Sequence, residues 1–272
     1  MISVITPCLN ICQDNRLEYF ERMMDSIHNQ DWTDIEHIVI DGASTDETPN
    51  ILEKYQKKGW ITHIISEKDE GIYSAINKGL VLSKGEFVQI MNTDDYFLKL
   101  DYFNRCMTVL QDRSFDFTHA DRIIKSRDGK SDYIKRGNEK SAFFRMPYRH
   151  QTMIVRKKLF DELGLFDESY KIAADYKFVL QMLLSGKRGY YFPETVLCSL
   201  DGGASSNRER CIQEVSRALY ETYGQDNGLT IKDCMAIYQR KISPAIWSKI
   251  SANVKDERIL DSLELCYKQN IS

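Results

Sequence analysis

Residues 86–95 read Glu-Phe-Val-Gln-Ile-Met-Asn-Thr-Asp-Asp, and they decide how the chain is read. Glu86 to Met91 has the length and apolar character of a buried strand. It stops at four oxygen-bearing side chains in a row, Asn92, Thr93, Asp94 and Asp95. Upstream, the same pattern recurs. Ile2 to Thr6 is a β-rich run halted by Pro7, and Glu36 to Asp41 is a second strand closed by Gly42. Ile61 to Ser66 makes a third strand, so residues 86–91 form the fourth. Helical spacing fills the gaps: Leu17, Phe20, Met24 and Ile27 fall at three- and four-residue steps. Ser44-Thr45-Asp46-Glu47 opens a second helix with the hydroxyl and acidic residues that bare N–H groups need. Gly71 to Ser83 is the third.

Strands alternating with helices predict an α/β fold with a mostly parallel sheet flanked by helices. In such sheets ligands bind beyond the carboxyl ends of the strands. Thr6-Pro7, Asp41-Gly42 and Asn92 to Asp95 all stand there. Downstream the pattern changes. Phe115 to Asp121 and Tyr133-Ile134 flank an Arg127-Asp128-Gly129-Lys130 turn and read as a hairpin. His150 to Val155, Arg188 to Pro193 and Val196 to Leu200 read as strands, and Ala173 to Ser185 as a helix. After Gly202-Gly203-Ala204-Ser205-Ser206 the chain is helical, over Arg208–Tyr223, Thr230–Lys241 and Trp247–Lys268. The expected division is a domain over residues 1–206, with halves 1–98 and 99–206, and a helical region over 207–272.

Bulk properties exclude several classes. The chain has 272 residues, 42% hydrophobic and 28% charged, as an ordinary globular protein does. A formal net charge of −3 gives no global field for nucleic acid. No apolar run reaches the ~18–20 residues of a membrane span. The N-terminus lacks a basic n-region and reads as a strand, not a signal peptide. The seven cysteines are scattered, and nothing completes a zinc site beside Cys8 and Cys12. Reduced thiols and a cytoplasmic setting are the expectation.

Hard cations take oxygen ligands, and Mg²⁺ commonly uses one or two carboxylates plus substrate phosphates. Asn92 to Asp95 supplies such ligands; a solvated turn is the alternative.

The strings ISVITPCLN, IVIDGASTDET and EFVQIMNTDDYF, in this order, resemble the family-2 glycosyltransferases of GT-A fold. The intervening SEKDEGIYSAINKGLVLSKGE is similar to a segment of bacterial polysaccharide-building members. The resemblance runs from Ile2 to about Leu98, resumes more weakly at His150-Gln151 and Ala173-Ala174-Asp175-Tyr176, and ends before the C-terminal helices. It implies a nucleotide-diphosphate sugar donor and a glycan or lipid-linked acceptor. Thr6 and Pro7 would line the base pocket, and Asp41 would accept a hydrogen bond from the base. Asn92 would sit near the ribose, and Asp94, with Asp95 as helper or second shell, would hold Mn²⁺ or Mg²⁺. Lys68, Lys78 and Arg145 are candidates for auxiliary phosphate contacts. The family usually has Asp where this chain has Asn92, which removes a charge. Asp175 would be the base that deprotonates the acceptor hydroxyl; a helix cap is its structural alternative. A lone base implies inversion at the anomeric carbon.

Other readings stay open. His150-Gln151 would line the acceptor side, and residues 202–206 would be a lid or a linker. His119 and Asp121 read as structural. Ile246, Trp247 and Ile250 with nearby lysines would touch a membrane from its inner, cytoplasmic face, or pack on the core or on a second copy in a homo-oligomer. A nucleotidyltransferase would need a Gly-rich phosphate loop that Thr6 to Asn10 lacks. A nucleotide-sugar binding or regulatory protein without turnover is the rival outside the enzymes.

Overall fold

The computed structural model describes residues 1–13, 16–126, 131–203 and 206–271, with only the backbone at 270 and 271. The chain forms two compact units. The first joins Met1–Gly137, Arg149–Glu168 and Lys187–Asp201; the second joins Asn138–Tyr148, Ser169–Gly186 and Gly202–Ser272. These units do not coincide with the expected division at residue 206, since residues 138–148 and 169–186 group with the C-terminal helices.

The first unit contains one mixed sheet. Strands β1 (Ile2–Cys8), β2 (Ile35–Asp41), β3 (His63–Ser66) and β4 (Phe87–Ile90) run parallel in the order β3-β2-β1-β4. Helices α1 (Arg16–His28), α2 (Thr48–Lys57) and α3 (Ile72–Leu82) make the crossovers. β1 and β2 are buried along nearly their whole length, as strands covered on both faces must be. One face packs Phe20, Met23, Met24 and Ile27 of α1 with Leu52 of α2. On the other, α3 comes so close that a Cβ at Gly79 would stand 2.4 Å from Ile5 Cγ2.

Short β5 (Tyr96–Phe97) and α4 (Tyr102–Gln111) follow, then β6 (Phe117–Lys125), β7 (Tyr133–Lys135), β8 (Ile154–Arg156), α5 (Lys158–Leu163) and β9 (Gly189–Leu200). β8 lies antiparallel between β4 and β6, and β9 runs parallel to β6. Parallel pairs carry most of the register. β6 and β7 pair antiparallel as the expected hairpin; its turn, residues 127–130, lies outside the described residues, as do Ala204 and Ser205.

After β4, three expected elements differ. Residues 150–152 form a 3₁₀ turn, because the Thr152 hydroxyl replaces the ladder there. It accepts from Ala120 N–H at 3.1 Å and donates to Ala120 O at 3.0 Å. The two strands expected over 188–200 are one strand, β9. Its pairing with β6 jumps from Phe192 to Thr195, so Pro193, which has no N–H to give, bulges out with Glu194.

The third difference lies in the second unit, which is helical among the described residues. It contains α6 (Ala174–Leu184), α7 (Arg208–Leu219), a π turn at Tyr220–Gly224, α8 (Ile231–Tyr238), α9 (Pro244–Asn253) and α10 (Glu257–Ile271). The long helix expected over 247–268 is thus two. Asp256 Oδ1 accepts from Arg258 N–H at 2.9 Å, a local bond that starts a new helix instead of continuing the old one. Trp247 stacks on Tyr267 with centroids 5.0 Å apart, a packing role within this unit.

Candidate active site

Register brings the expected residues to one edge of the sheet. Cys8 pairs with Asp41 and Asp41 with Ser66, while Met91 N–H donates to Ile5 O at 3.0 Å. Asn92 to Asp95 therefore emerge beside the end of β1.

Asp41 is fully buried, and its carboxylate is already engaged. Oδ1 accepts from the Ser44 hydroxyl, and Oδ2 accepts from the Ser66 hydroxyl at 2.5 Å. The Ser44 hydroxyl in turn accepts from Asn10 N–H at 2.7 Å. Ile11 N–H reaches Thr48 Oγ1 at 2.9 Å, and Cys12 N–H reaches Asp46 Oδ2 at 3.0 Å. The loops after β1 and β2 are thereby knitted together, with Asn10 and Ala43 held in the left-handed region at φ 50° and 60°. Ser44 to Glu47, expected to begin a helix, instead form this loop. Asp46 accepts from Thr48 N–H at 3.0 Å where α2 starts. Sequence reading takes Ser44 only as part of a helix start and Ser66 only as a strand end, although a hydroxyl next to a buried strand-end carboxylate is the available signal.

Thr6 is also fully buried. Its hydroxyl lies 3.0 Å from His37 Nε2 and 3.8 Å from Met23 Sδ, under α1. Pro7 is half-buried at the sheet edge, so a pocket there meets Pro7 and only the backbone of Thr6.

The two acidic residues after β4 part ways. Asp95 is 2% exposed, accepts from Asn92 Nδ2 at 3.0 Å, and donates its N–H to Asn92 O. Burial and then the neighbouring Asp94 charge push its carboxyl up to about 6, against the pull of Arg122, Ser199 and His150. Asp94 is half-buried. Asp95, expected as a helper or second shell to Asp94, thus lies behind the loop, and Asp94 is the more exposed of the two carboxylates. Arg16, which sequence reasoning missed, bridges the loops, donating to Leu9 O at 3.0 Å and Thr93 Oγ1 at 3.3 Å.

Among the described residues no three His, Cys, Asp or Glu side chains converge as a metal cage. The residues nonetheless suit a hard divalent cation. Asp94 offers a carboxylate, and the buried Oδ1 of Asn92 has no hydrogen-bond partner. Phosphates and water complete such a shell. Lys68 is exposed after β3, and Lys78 is paired with Glu67 at 2.7 Å and Asp69 at 2.5 Å. His150 is half-buried, while Gln151 is buried and its carbonyl accepts from Gln89 Nε2 at 2.6 Å. His119 stacks on Tyr191, and burial followed by Arg149 lowers it to about 3; Asp121 accepts from the Tyr191 hydroxyl at 2.6 Å. Both read as structural. None of the seven cysteines forms a disulfide.

In the second unit, Asp175 occupies the first turn of α6, half-buried, with Oδ1 accepting from Tyr176 N–H at 2.9 Å. The cap position is Ala173, without a side-chain cap bond, so the Asp175 carboxylate is the acidic group that meets an amide of this first turn. Arg145 belongs to this unit, over the Phe144 ring.

Known proteins are similar to this chain in sequence and in fold. The chain is 28% identical over 183 residues to a PGL/p-HBAD biosynthesis glycosyltransferase of Mycobacterium bovis, spanning 65% of this chain and 68% of that one. It is 30% identical over 130 residues to TuaG of Bacillus subtilis, a candidate teichuronic acid biosynthesis glycosyltransferase, spanning 47% and 49%. In fold it is similar to S. aureus TarS in complex with UDP-GlcNAc, at TM-score 0.65 and 19% identity over 97% of this chain and 80% of that one. A mannosyltransferase from Pyrobaculum calidifontis in complex with GDP-Man and Mn2+ gives TM-score 0.65 and 17% identity, over 99% and 86%. Against a longer TarS chain, this one spans 46% of the length. The fold is thus GT-A. The model of glycosyl transferase family 2 matches residues 3–165, the stretch that carries β1 to β4 and their strand-end loops, and the chain is a glycosyltransferase belonging to that family.

Proposed function

We propose that the protein moves a sugar from a nucleotide-diphosphate donor to a hydroxyl of a glycan or lipid-linked acceptor during polysaccharide assembly, with inversion. The observation that carries this reading is the division of labour after β4: Asp95 is buried and bonded to Asn92, which leaves Asp94 at the sheet edge beside β1. The names of the relatives, which speak of PGL/p-HBAD and teichuronic acid biosynthesis, support the acceptor class. The complexes of the two fold neighbours support a nucleotide sugar.

Asp94 and Asn92 would hold Mn²⁺ or Mg²⁺, which when bound offsets the charge growing on the departing diphosphate. The chain's own groups do the rest. Pro7 and the stapled loop at Asp41 form a rigid wall for the base, and a preformed wall loses little entropy on binding. Arg16, held by two neutral acceptors, supplies positive charge near the diphosphate. Asp175 takes the proton of the acceptor hydroxyl as its oxygen attacks the anomeric carbon, and the nucleoside diphosphate leaves from the opposite face. No described helix is long and apolar enough to cross a membrane; work on a lipid-linked acceptor at the cytoplasmic face is part of the proposal.

Calorimetry with UDP and GDP, with and without Mn²⁺, tests the donor side. Asp94→Ala is expected to remove the Mn²⁺-dependent part of nucleotide binding. Asp175→Asn is expected to bind normally and to lose on the order of 10²–10⁴-fold in kcat. Wild-type transfer by either variant rejects the role given to that residue.

A further inference from the structure

Residues 169–173 lead into α6 without forming helix or strand, so their amides have no ladder to join. A single side chain from α7 takes three of them. Lys171 N–H lies 3.0 Å from both Glu214 carboxylate oxygens. Ile172 N–H reaches Oε2 at 2.7 Å and Ala173 N–H reaches it at 3.1 Å. Three consecutive amides converging on one anion form a nest. Ala173 has no capping side chain of its own, so the Glu214 charge also occupies the positive end of α6.

The grip continues along the same helical stripe. Arg217, three residues on, donates to Ser169 Oγ at 3.0 Å and lies 4.4 Å over the Tyr170 ring. Glu221, seven residues on, accepts from the Tyr170 hydroxyl at 2.9 Å and pairs with Lys177 at 2.7 Å. Glu214 and Arg217 share one face of α7, and Glu221 follows in the π turn. These three side chains hold every position from 169 to 173 and then Lys177, and Asp175 lies between the last two points held. Burial and then the charges of Glu214 and Asp175 raise the Cys211 thiol, so both carboxylates act on one neighbourhood.

We propose that Glu214 is a positioning residue for Asp175: by binding the amides of Lys171, Ile172 and Ala173 it fixes the first turn of α6 and with it the direction of the Asp175 carboxylate. This rests on the reading of Asp175 as the base. A base must stand within hydrogen-bond reach of the proton it takes, and a displacement of ~1 Å costs up to about 10²-fold in rate. A glutamine has one carbonyl oxygen for these amides, and its NH₂ is itself a donor. Glu214→Gln therefore keeps the shape and loosens the nest.

The test compares Glu214→Gln, Asp175→Asn and Thr230→Ala in the full chain. Thr230→Ala removes the α8 capping box in the same unit and serves as the purely structural control. Turnover is measured with UDP-GlcNAc and GDP-mannose, and nucleotide binding by calorimetry with Mn²⁺. Glu214→Gln is expected to lower kcat by on the order of 10- to 100-fold. Its donor KM and nucleotide affinity stay within about twofold, and Thr230→Ala leaves kcat unchanged. Wild-type kcat in Glu214→Gln beside an inactive Asp175→Asn overturns the positioning role alone. A raised donor KM at unchanged kcat overturns it as well. Wild-type turnover in Asp175→Asn overturns the base assignment itself.

Discussion

Thr6, His37 and His28 form a polar thread through the interior at the end of β1. The Thr6 hydroxyl lies 3.0 Å from His37 Nε2, and His37 Nδ1 lies 3.1 Å from His28 Nε2. His28 in turn stacks on Trp60 at 4.8 Å. Burial lowers His37 to about 3; burial and then Lys58 lower His28 to about 4. The unfolded chain takes these protons near the ordinary histidine value of about 6.5 while the folded one refuses them. Between about pH 6.5 and 4 the unfolded state thus binds more protons, so stability present at neutral pH is lost on acidification. Thermal melts between about pH 7 and 5 should fall with pH, and His37→Asn should flatten the slope. A slope unchanged by the substitution would assign the acid sensitivity to other groups. None of this was legible in sequence. A strand buried on both faces shows no alternation to say that Thr6 points inward. Adjacent Asp94 and Asp95 likewise look alike until a turn buries one of them.

Among the elements, the crossover α3 depends on a missing side chain. Gly79 lets the helix rest against Ile5 of β1, where a methyl group would overlap Cγ2 at 2.4 Å. Gly79→Ala is expected to cost about 1–3 kcal/mol, read as a lower urea midpoint at unchanged m-value. An unchanged midpoint would mean that the helix moves away freely. The first four strands and three crossovers were legible because each is a local pattern bounded by its own turn residues. The errors come where a partner decides. Thr152 replaces a ladder bond with its hydroxyl, and Pro193 is carried by a bulge that only the β6 register reveals. Asp256 divides the last helix through a bond two residues long, a signal that apolar spacing overrode.

At the scale of the whole molecule, the helical unit is built from three separated stretches. Phe143 N–H reaches Ser262 Oγ at 3.3 Å, Phe143 O accepts from the Tyr223 hydroxyl at 2.6 Å, and Leu183 O accepts from Arg258 at 2.6 Å. Cutting the chain after residue 206, where the composition changes, should leave residues 138–148 and 169–186 without these partners. The shortened chain is expected to be insoluble or to lose cooperative melting, as circular dichroism would show; a sharp transition would make the helices after residue 206 dispensable. Sequence periodicity has no access to such pairings, because they join segments with unrelated local patterns.

The same interleaving has a consequence during synthesis. Phe143 leaves the ribosome 80 residues ahead of the tyrosine whose ring closes over it at 5.9 Å. At roughly 5–20 residues per second, that wait lasts on the order of ten seconds. For that interval Phe143 travels without the ring that closes over it, a natural client for a holding chaperone.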